Sequence, residues 1–212
     1  MNKLIILVHI PKTGGTSLRV AAEQCFGRKH MLYDYGERAR LTSELVLQWV
    51  YKSNDMGTFA GTASRDGYRF LSGHFPVKKY REYFPRASFV SWIRNPVDRL
   101  WSAWRHYSLH LGYEDDFATF YTNPKFQNQQ FRMLGHDLHA FDFIGITERF
   151  GASLNRFNRK FGLDFRQHRA NRTPEDQADE LSKKDIENIV ELNSEDMRMY
   201  ELVERNFLEG LR

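Results

Sequence analysis

Residues 9–17, which form the stretch His-Ile-Pro-Lys-Thr-Gly-Gly-Thr-Ser, constrain the fold of this chain more than any other segment. The residues before them, 4–8, are all apolar, as in a strand that is buried on both faces of a sheet. Residues 18–26 carry apolar side chains at the spacing of an amphipathic helix. The sequence therefore predicts a buried strand, a tight turn and a helix N-terminus in immediate succession.

The predicted turn has the features of an anion-binding site. Gly14 and Gly15 would let the backbone approach a ligand, and the free N–H groups and dipole of the first helical turn favour negative charge. Lys12 adds a positive charge. The segment also supplies three hydroxyl groups, those of Thr13, Thr16 and Ser17. We therefore expect a bound phosphate group here; the simpler alternative is a glycine turn that only joins strand to helix.

This turn does not follow the Walker A pattern of P-loop nucleotide-binding proteins, Gly-x-x-x-x-Gly-Lys-[Ser/Thr]. Lys12 comes before the glycine pair instead of after it, and no glycine lies five residues before Gly14. The best later strand, within residues 87–94, ends in Arg94 and not in an Asp that could help to bind Mg²⁺. We therefore expect a nucleotide that is held without a metal ion.

Residues 11–17, Pro-Lys-Thr-Gly-Gly-Thr-Ser, resemble the 5′-phosphosulfate loop of the sulfotransferases that use 3′-phosphoadenosine-5′-phosphosulfate (PAPS). With His-Ile-Pro at its start, the loop resembles in particular the carbohydrate branch that includes heparan sulfate 2-O-sulfotransferase. The resemblance continues in order along nearly the whole chain, and residues 141–147 resemble the family's fourth strand. It implies a P-loop-like α/β fold of three layers, in which helices flank a central parallel sheet of four to five strands. Residues 1–212 would form a single domain.

A second match follows the strand at residues 87–94. Asn95 can cap a helix whose first residue is Pro96, a favoured position for proline. Ser102, nearly two helical turns after Asn95, lies on the same face of that helix. Arg94 and Ser102 resemble the family's 3′-phosphate site, in which an arginine and a serine hold the phosphate that distinguishes this donor. A guanidinium group can bind phosphate through two parallel hydrogen bonds, so lysine would be a poor substitute.

Residues 68–72 are predicted to form a strand that leads into Gly73 and His74. A lone histidine is more often structural than catalytic. His74, however, would leave its strand at the carboxyl end, where open α/β sheets bind their ligands. In the family that the chain resembles, a Gly-His pair at this point supplies the general base, and histidine suits that task because its usual pKa lies near working pH.

Two further segments resemble the family more loosely. Residues 128–134 are similar to an Asn-x-Gln-x-Arg-x-Leu segment near the acceptor, which implies acceptor contacts from Asn128, Gln130 and Arg132; a polar helix face is the alternative. Residues 167–174 resemble a basic loop that closes over the adenine and the 3′-phosphate of the donor, which implies donor contacts from Arg172 and Thr173. Thr173 also begins a helix N-cap pattern.

The resemblance implies an O-sulfotransferase that transfers the sulfuryl group of PAPS to a hydroxyl of a carbohydrate or glycoconjugate and releases 3′,5′-bisphosphoadenosine (PAP). A small-molecule or lipid-linked acceptor would leave the same motifs. His74 would remove the hydroxyl proton, and Lys12 would stabilise charge on the departing oxygen. No metal ion is required. Two alternatives remain open: a P-loop small-molecule kinase, and a catalytically inactive nucleotide-binding protein with the same fold.

Composition limits the setting. Residues 174–212 hold 12 acidic and 5 basic side chains, a net charge of −7, which leaves +11 for residues 1–173, and a basic surface suits a polyanionic donor. The chain has no recognisable nucleic-acid-binding motif. It also has no apolar run of 18 residues and no room for a signal peptide before its first strand. Since Golgi members of the family that it resembles carry an N-terminal anchor and a stem, the resemblance implies a bacterial cytoplasmic enzyme without a membrane span; the alternative is a part of a longer, membrane-anchored protein. Its oligomeric state is left open.

Three local predictions complete the sequence analysis. Cys25 belongs to the apolar stripe of the first helix and is expected in the core. Residues 28–40 are polar and aromatic and are expected to form a loop. Residues 54–67 are rich in Gly, Ser, Thr, Asn and Asp, and they are expected to form a mobile surface loop near the acceptor.

Overall fold

The computed structural model describes residues 3–166 and 181–210, within which five parallel strands form one sheet. The strands are β1 (Ile5–Val8), β2 (Met31–Asp34), β3 (Phe70–Gly73), β4 (Ser88–Ile93) and β5 (Phe143–Ile146). Their order in the sheet is β2-β3-β1-β4-β5, so the strand that leads into the glycine turn is central. Every neighbouring pair is parallel. The predicted fold class is confirmed.

Helices connect the strands and cover both faces of the sheet. They are α1 (Gly15–Phe26), α2 (Glu44–Val46), α3 (Met56–Arg65), α4 (Lys78–Arg81), α5 (Pro96–His110), α6 (Phe117–Thr122), α7 (Gln129–Leu134), α8 (Phe150–Phe161), α9 (Lys183–Leu192) and α10 (Ser194–Glu209). A π-helical segment, Leu47–Lys52, continues α2, and short 3₁₀ segments occupy Arg28–His30, Leu138–Ala140 and Thr147–Arg149. Among the described residues, no helix is long and apolar enough to cross a membrane.

Alternation along β1 divides the core into two layers. Ile6 and Val8 pack with residues of α2, α3, α4 and α10 on one face of the sheet. Ile5 and Leu7 pack with residues of α1 and α8 on the other face. Each side chain of β1 is buried because helices cover both faces, which is the reason that the strand is continuously apolar in sequence. A third cluster joins α5, α6 and α9 beside the sheet.

The loop predicted for residues 28–40 is wrong over part of its length, because β2 occupies Met31–Asp34. This strand has only four residues and lies at the edge of the sheet, where it pairs with β3 alone. Met31 and Leu32 are its buried apolar positions, and the polar residues on both sides hide so short a pattern.

The loop predicted for residues 54–67 is also wrong, because α3 spans Met56–Arg65. Asp55 caps the helix, and its carboxylate accepts a hydrogen bond from the Thr58 backbone N–H at 2.9 Å. Phe59 and Ala63, four residues apart, are buried on one face of the helix. Packing of this face outweighs the low helix propensity of the glycines and threonines around it.

Cys25 is exposed, contrary to the prediction that it belongs to the core. The buried face of α1 consists of Gly15, Leu18, Ala21 and Ala22, and it ends one turn before Cys25. Phe26, the next residue, packs against Phe70 of β3, so the last turn of α1 faces the sheet through Phe26 and leaves Cys25 exposed.

The carboxyl ends of the strands bring distant residues together. Val8 and Asp34 both pair with Gly73, so the residues that follow them, His9, Tyr35 and His74, leave three adjacent strands at one level. On the other side of β1, Ile93 pairs with Ile146, and Arg94 and Thr147 follow. The glycine turn starts between these two groups.

Candidate active site

A cavity of about 710 Å³ opens at the carboxyl edge of the sheet. Its walls come from the β1–α1 turn, α1, the ends of β2 and β3, and α5. The polar and aromatic residues that line it include His9, Lys12, Thr16, Arg19, Tyr35, His74, Ser102, Arg105, His106, Tyr107, His110 and Gln129. Of the residues that the sequence predicts for the site, Lys12, Thr16, His74 and Ser102 therefore line the same cavity.

Hydrogen bonds within the turn before α1, and from Thr147 beside it, hold its backbone in place. The Thr13 hydroxyl donates to the Ile10 carbonyl at 2.9 Å, and the side chain of Thr13 is buried. The Thr147 hydroxyl, at the end of β5, contacts the carbonyls of Thr13 at 2.7 Å and of Ile93 at 2.9 Å. Thr13 therefore uses its hydroxyl inside the turn, whereas Thr16 lines the cavity.

Contacts within the protein explain why both positions of the pair are glycine. Gly14 has a φ of 82°, in the left-handed region, and a Cβ there would lie 3.1 Å from the Phe150 ring. At Gly15 a Cβ would lie 2.1 Å from Cδ2 of His9. The loop motif predicts that both glycines allow close approach of a ligand. In the structure, Gly14 supplies the left-handed backbone conformation, and Gly15 leaves space for the His9 ring.

Lys12 and Arg94 are two cations held next to each other. The Nη1 atom of Arg94 lies 3.5 Å from the Lys12 carbonyl oxygen, and burial together with the Arg94 charge lowers the pKa of Lys12. No ion pair within 4.0 Å among the described residues includes either side chain. Two like charges at a helix N-terminus form a site that an anion would stabilise.

Helix α5 forms the wall that faces this turn. Asn95 caps it as predicted: its side-chain oxygen accepts from the Val97 N–H at 2.9 Å, and Pro96 is the first helical residue. Ser102 is buried and lines the cavity. One turn further on, His106 lines the same wall, and burial followed by the Lys12 charge lowers the pKa of its imidazole. The Lys12 charge therefore acts across the cavity on α5.

The three residues predicted to contact the acceptor do not line the cavity, although their neighbour Gln129 does. The side chain of Asn128 accepts from the N–H groups of Glu195 and Asp196 at 3.1 Å and donates to the Leu192 carbonyl at 3.1 Å, so it joins α7 to the start of α10. Arg132 donates to the carbonyl of Lys125 at 2.5 Å. These bonds give both side chains a structural role.

Gln130 is completely buried, and its amide group bonds to the backbone of Arg94. Its Oε1 accepts from the Arg94 N–H at 2.9 Å, and its Nε2 donates to the Arg94 carbonyl at 2.9 Å. Asp196 accepts from the backbone N–H of Gln130 at 3.2 Å. Gln130 therefore supports the backbone of the predicted 3′-phosphate residue.

His74 faces the cavity directly after β3. Its backbone N–H donates to the Asp34 carbonyl at 2.9 Å, and a Cβ at Gly73 would lie 1.8 Å from that same oxygen, so glycine is required before it. The side chain of His74 is exposed to the cavity, whose walls partly desolvate it and lower the pKa of its imidazole to about 4, while the Asp34 carboxylate opposes this shift. His74 is therefore neutral at neutral pH, with a ring nitrogen able to accept a proton.

The Asp34 carboxylate behind His74 is fully used by its own partners. It accepts from the Tyr51 hydroxyl at 2.6 Å, the Tyr80 hydroxyl at 2.7 Å and the Lys79 ammonium at 2.5 Å. This buried group ties the edge strand β2 to the π-helical segment and to α4. These bonds stabilise the end of β2, next to the end of β3 that leads into His74.

Sequence analysis gave no role to His9 and Tyr35, although both line the cavity next to His74. His9 belongs to the loop motif at residues 9–17, so its place beside the site could have been predicted. Tyr35 could have been found only by recognising β2, because its position follows from the register of that strand against β3. Arg172 and Thr173, predicted to contact the donor, lie outside the described residues. Among the residues that are described, no group of three or more His, Cys, Asp or Glu side chains is arranged to hold a metal ion.

Neither a protein-family model nor a curated protein sequence matches this chain. Solved structures do. Mouse sulfotransferase SULT7A1, solved in complex with PAP, superposes with a TM-score of 0.58 and 16% identity over 100% of this chain and 89% of its own. A sulfotransferase from Alicyclobacillus acidocaldarius gives a TM-score of 0.54 and 15% identity over 96% of both chains. At these identities the similarity shows a shared fold.

Proposed function

We propose that this chain is a sulfotransferase that transfers the sulfuryl group of PAPS to a hydroxyl group. The observation that carries the proposal is a cavity at the start of α1 that presents both Lys12 and the neutral imidazole of His74, with the Arg94 guanidinium 3.5 Å from the Lys12 carbonyl oxygen. The fold shared with mouse sulfotransferase SULT7A1, which was solved with PAP, supports the same donor.

The residues present fit a donor with two separate anionic groups. Lys12, Thr16 and the first N–H groups of α1 would hold the 5′-phosphosulfate, because a helix N-terminus and a lysine both favour negative charge. Arg94 and Ser102 would hold the 3′-phosphate. Thr13, Gly14, Gly15 and Ser17 complete the proposed donor loop through its backbone. When bound, PAPS supplies an activated sulfuryl group and leaves as PAP.

His74 is the proposed general base. Since its imidazole is neutral at neutral pH, a ring nitrogen accepts the proton of the acceptor hydroxyl while the oxygen forms its new bond to sulfur. Lys12 supplies positive charge within the turn, where it offsets the negative charge that the bisphosphate gains. Removing a positioned base typically costs about 10²–10⁴ in turnover, which sets the expected effect of His74→Ala.

For the acceptor we propose a saccharide hydroxyl. The support is the resemblance of residues 9–17 to the carbohydrate branch and the lining of the cavity by side chains that hydrogen-bond to hydroxyl groups, among them Arg105 and Gln129. A cavity of about 710 Å³ has room for a sugar residue beside the end of the donor. We also propose that the enzyme acts in the bacterial cytoplasm.

The test is transfer of ³⁵S from labelled PAPS to a panel of saccharides, with phenolic and sterol alcohols as competitors for the acceptor class. We expect labelled product with wild type, a loss of about 10²–10⁴ in turnover for His74→Ala, and no change for Arg86→Ala. Arg86 is an exposed arginine outside the cavity and serves as the matched control.

Other outcomes would redirect the assignment. Transfer of phosphate from ATP in the presence of Mg²⁺ would support a kinase instead. Tight PAP binding without transfer to any acceptor, or to water, would support an inactive nucleotide-binding protein. Full activity in His74→Ala would remove His74 from the role of base.

A further inference from the structure

Three aromatic rings meet at the carboxyl edge of the sheet, one from each of three adjacent strands. His74 follows β3, Tyr35 follows β2 on one side of it, and His9 follows β1 on the other. Because Gly73 pairs with both Asp34 and Val8, the three side chains leave the sheet at the same level. The central ring is that of the proposed base.

Both flanking rings contact the His74 imidazole edge to face. The His9 and His74 ring centres are 4.7 Å apart with an interplanar angle of 70°, and the Tyr35 and His74 ring centres are 4.7 Å apart with an angle of 74°. His9 and Tyr35 also meet each other, at 5.7 Å and 89°. Aromatic rings prefer this geometry, which limits rotation of the central ring.

Hydrogen bonds fix the two flanking rings. The Nδ1 atom of His9 lies 3.0 Å from the Tyr35 hydroxyl, which lies 3.0 Å from the Ser72 hydroxyl within β3. The other side of the His9 ring packs against the Cα of Gly15, where no side chain could fit. His9 is buried, and burial, with the charges of His74 and Arg19, keeps the pKa of its imidazole well below its usual value.

We propose that His9 and Tyr35 are positioning residues, which hold the imidazole of His74 in the orientation that proton transfer needs; this role rests on the proposed function. A side chain at a strand end has little else to restrict it, and small misplacements of reacting groups are costly. The hydrogen bonds from Tyr35 to His9 and Ser72 hold the two rings, and the two rings hold His74. Neither residue accepts the proton itself.

Two variants separate the ring contact from the hydrogen bonds. Tyr35→Leu removes the ring beside His74, whereas Tyr35→Phe keeps the ring and removes only the hydroxyl. With the best acceptor from the screen, we expect kcat to fall about 10- to 100-fold in Tyr35→Leu. Tyr35→Phe keeps the ring that contacts His74 but loses the hydrogen bonds that hold it, so its kcat should fall less, by about 2- to 10-fold. PAP affinity should stay within about twofold of wild type in both, because neither variant changes the donor loop. His9→Asn, which keeps a polar partner for the Tyr35 hydroxyl but lacks the ring, should behave like Tyr35→Leu and replaces it if that variant does not fold.

An activity-independent measurement distinguishes failure of this inference from failure of the proposed function. The ring-proton resonance of His74 in the NMR spectrum is shifted by the ring currents of its neighbours. It should move in Tyr35→Leu and stay near its wild-type position in Tyr35→Phe. A wild type that transfers no sulfuryl group would contradict the proposed function while this test still applies. Three results would each overturn the positioning role. They are an unchanged His74 resonance in Tyr35→Leu, a wild-type kcat in that variant, and equal losses of kcat and PAP affinity.

Discussion

The side-chain amide of Gln130 binds the backbone of Arg94 on both sides, accepting from its N–H and donating to its carbonyl at 2.9 Å each. Arg94 directly follows β4 and is the proposed ligand of the 3′-phosphate. Its guanidinium position therefore depends on a buried residue of α7, 36 positions away in sequence.

Gln130→Met keeps the approximate volume of the side chain but leaves the N–H and carbonyl of Arg94 without their partner. An unpaired buried polar group costs about 1–3 kcal/mol, and the backbone of Arg94 is expected to shift to avoid it. We predict that PAP binding weakens about tenfold, or ~1.4 kcal/mol, in calorimetry. AMP lacks the 3′-phosphate and should bind as it does to wild type. Equal weakening of both ligands would contradict this role for Gln130.

Gly15 should be more sensitive to substitution than its place at a helix start suggests. In Gly15→Ala the new Cβ collides with the His9 ring, and we predict a loss of about 1–3 kcal/mol in the free energy of unfolding, measured in urea. Gly61→Ala in α3, where the space beside the glycine is open, should be neutral or stabilising. The double variant His9→Ala/Gly15→Ala should lose less than the sum of its single changes. Strict additivity would mean that His9 is not the reason for the glycine.

Asn128 provides a test of structural against acceptor-binding roles. Its φ of 48° is in the left-handed region, so Asn128→Gly keeps the backbone and removes only the amide that caps α10. We predict a loss of about 1–2 kcal/mol in the free energy of unfolding, the usual effect of a lost cap. The KM for the acceptor should not change. A large rise in KM with unchanged stability would restore the acceptor contact that the sequence resemblance implies.

Acid should destabilise the protein through two imidazoles, the buried ring of His9 and the more exposed ring of His74, which the cavity walls partly desolvate. The folded-state pKa values of His9 and His74 lie below the usual 6.5, so between these values and 6.5 the unfolded chain binds protons that the folded chain does not. The contribution of these two groups to the free energy of unfolding is therefore fully present above pH 6.5, and it is lost as the pH drops towards 4. Thermal unfolding at pH 7 and pH 4.5 should show a smaller decrease for His74→Gln than for wild type. His139→Gln, an exposed histidine outside the cavity, is the control, and a decrease as large in His74→Gln as in wild type would contradict the account.

The central features of the fold could be predicted from sequence because they leave local patterns. The strand before the glycine turn is buried on both faces, which makes residues 4–8 continuously apolar. β2 and α3 were missed because one has four residues among polar neighbours and the other has glycines at positions 57 and 61. Packing against the rest of the protein decides both elements, and packing of this kind is not visible in a short window.

The candidate site was predictable to the same degree. Lys12, His74 and Ser102 belong to motifs whose local geometry brings them to the cavity. The resemblance of residues 128–134 predicts an acceptor contact for Gln130. Its bonds to the backbone of Arg94 could not be predicted, because backbone groups leave no trace in sequence. Tyr35 was missed because its contact with His74 depends on the register of a strand that was itself missed.

The measurement that tests the central claim most directly is calorimetric binding of PAP, AMP and ATP with Mg²⁺ to wild type and to Arg94→Ala. We predict that wild type binds PAP far more tightly than the other two ligands, since only PAP carries a phosphate for Arg94 and Ser102. Arg94→Ala should bind PAP no better than AMP, while Arg86→Ala keeps wild-type affinity. Wild type that binds ATP with Mg²⁺ in preference to PAP, or an Arg94→Ala variant with undiminished PAP affinity, would contradict the assignment of the donor site.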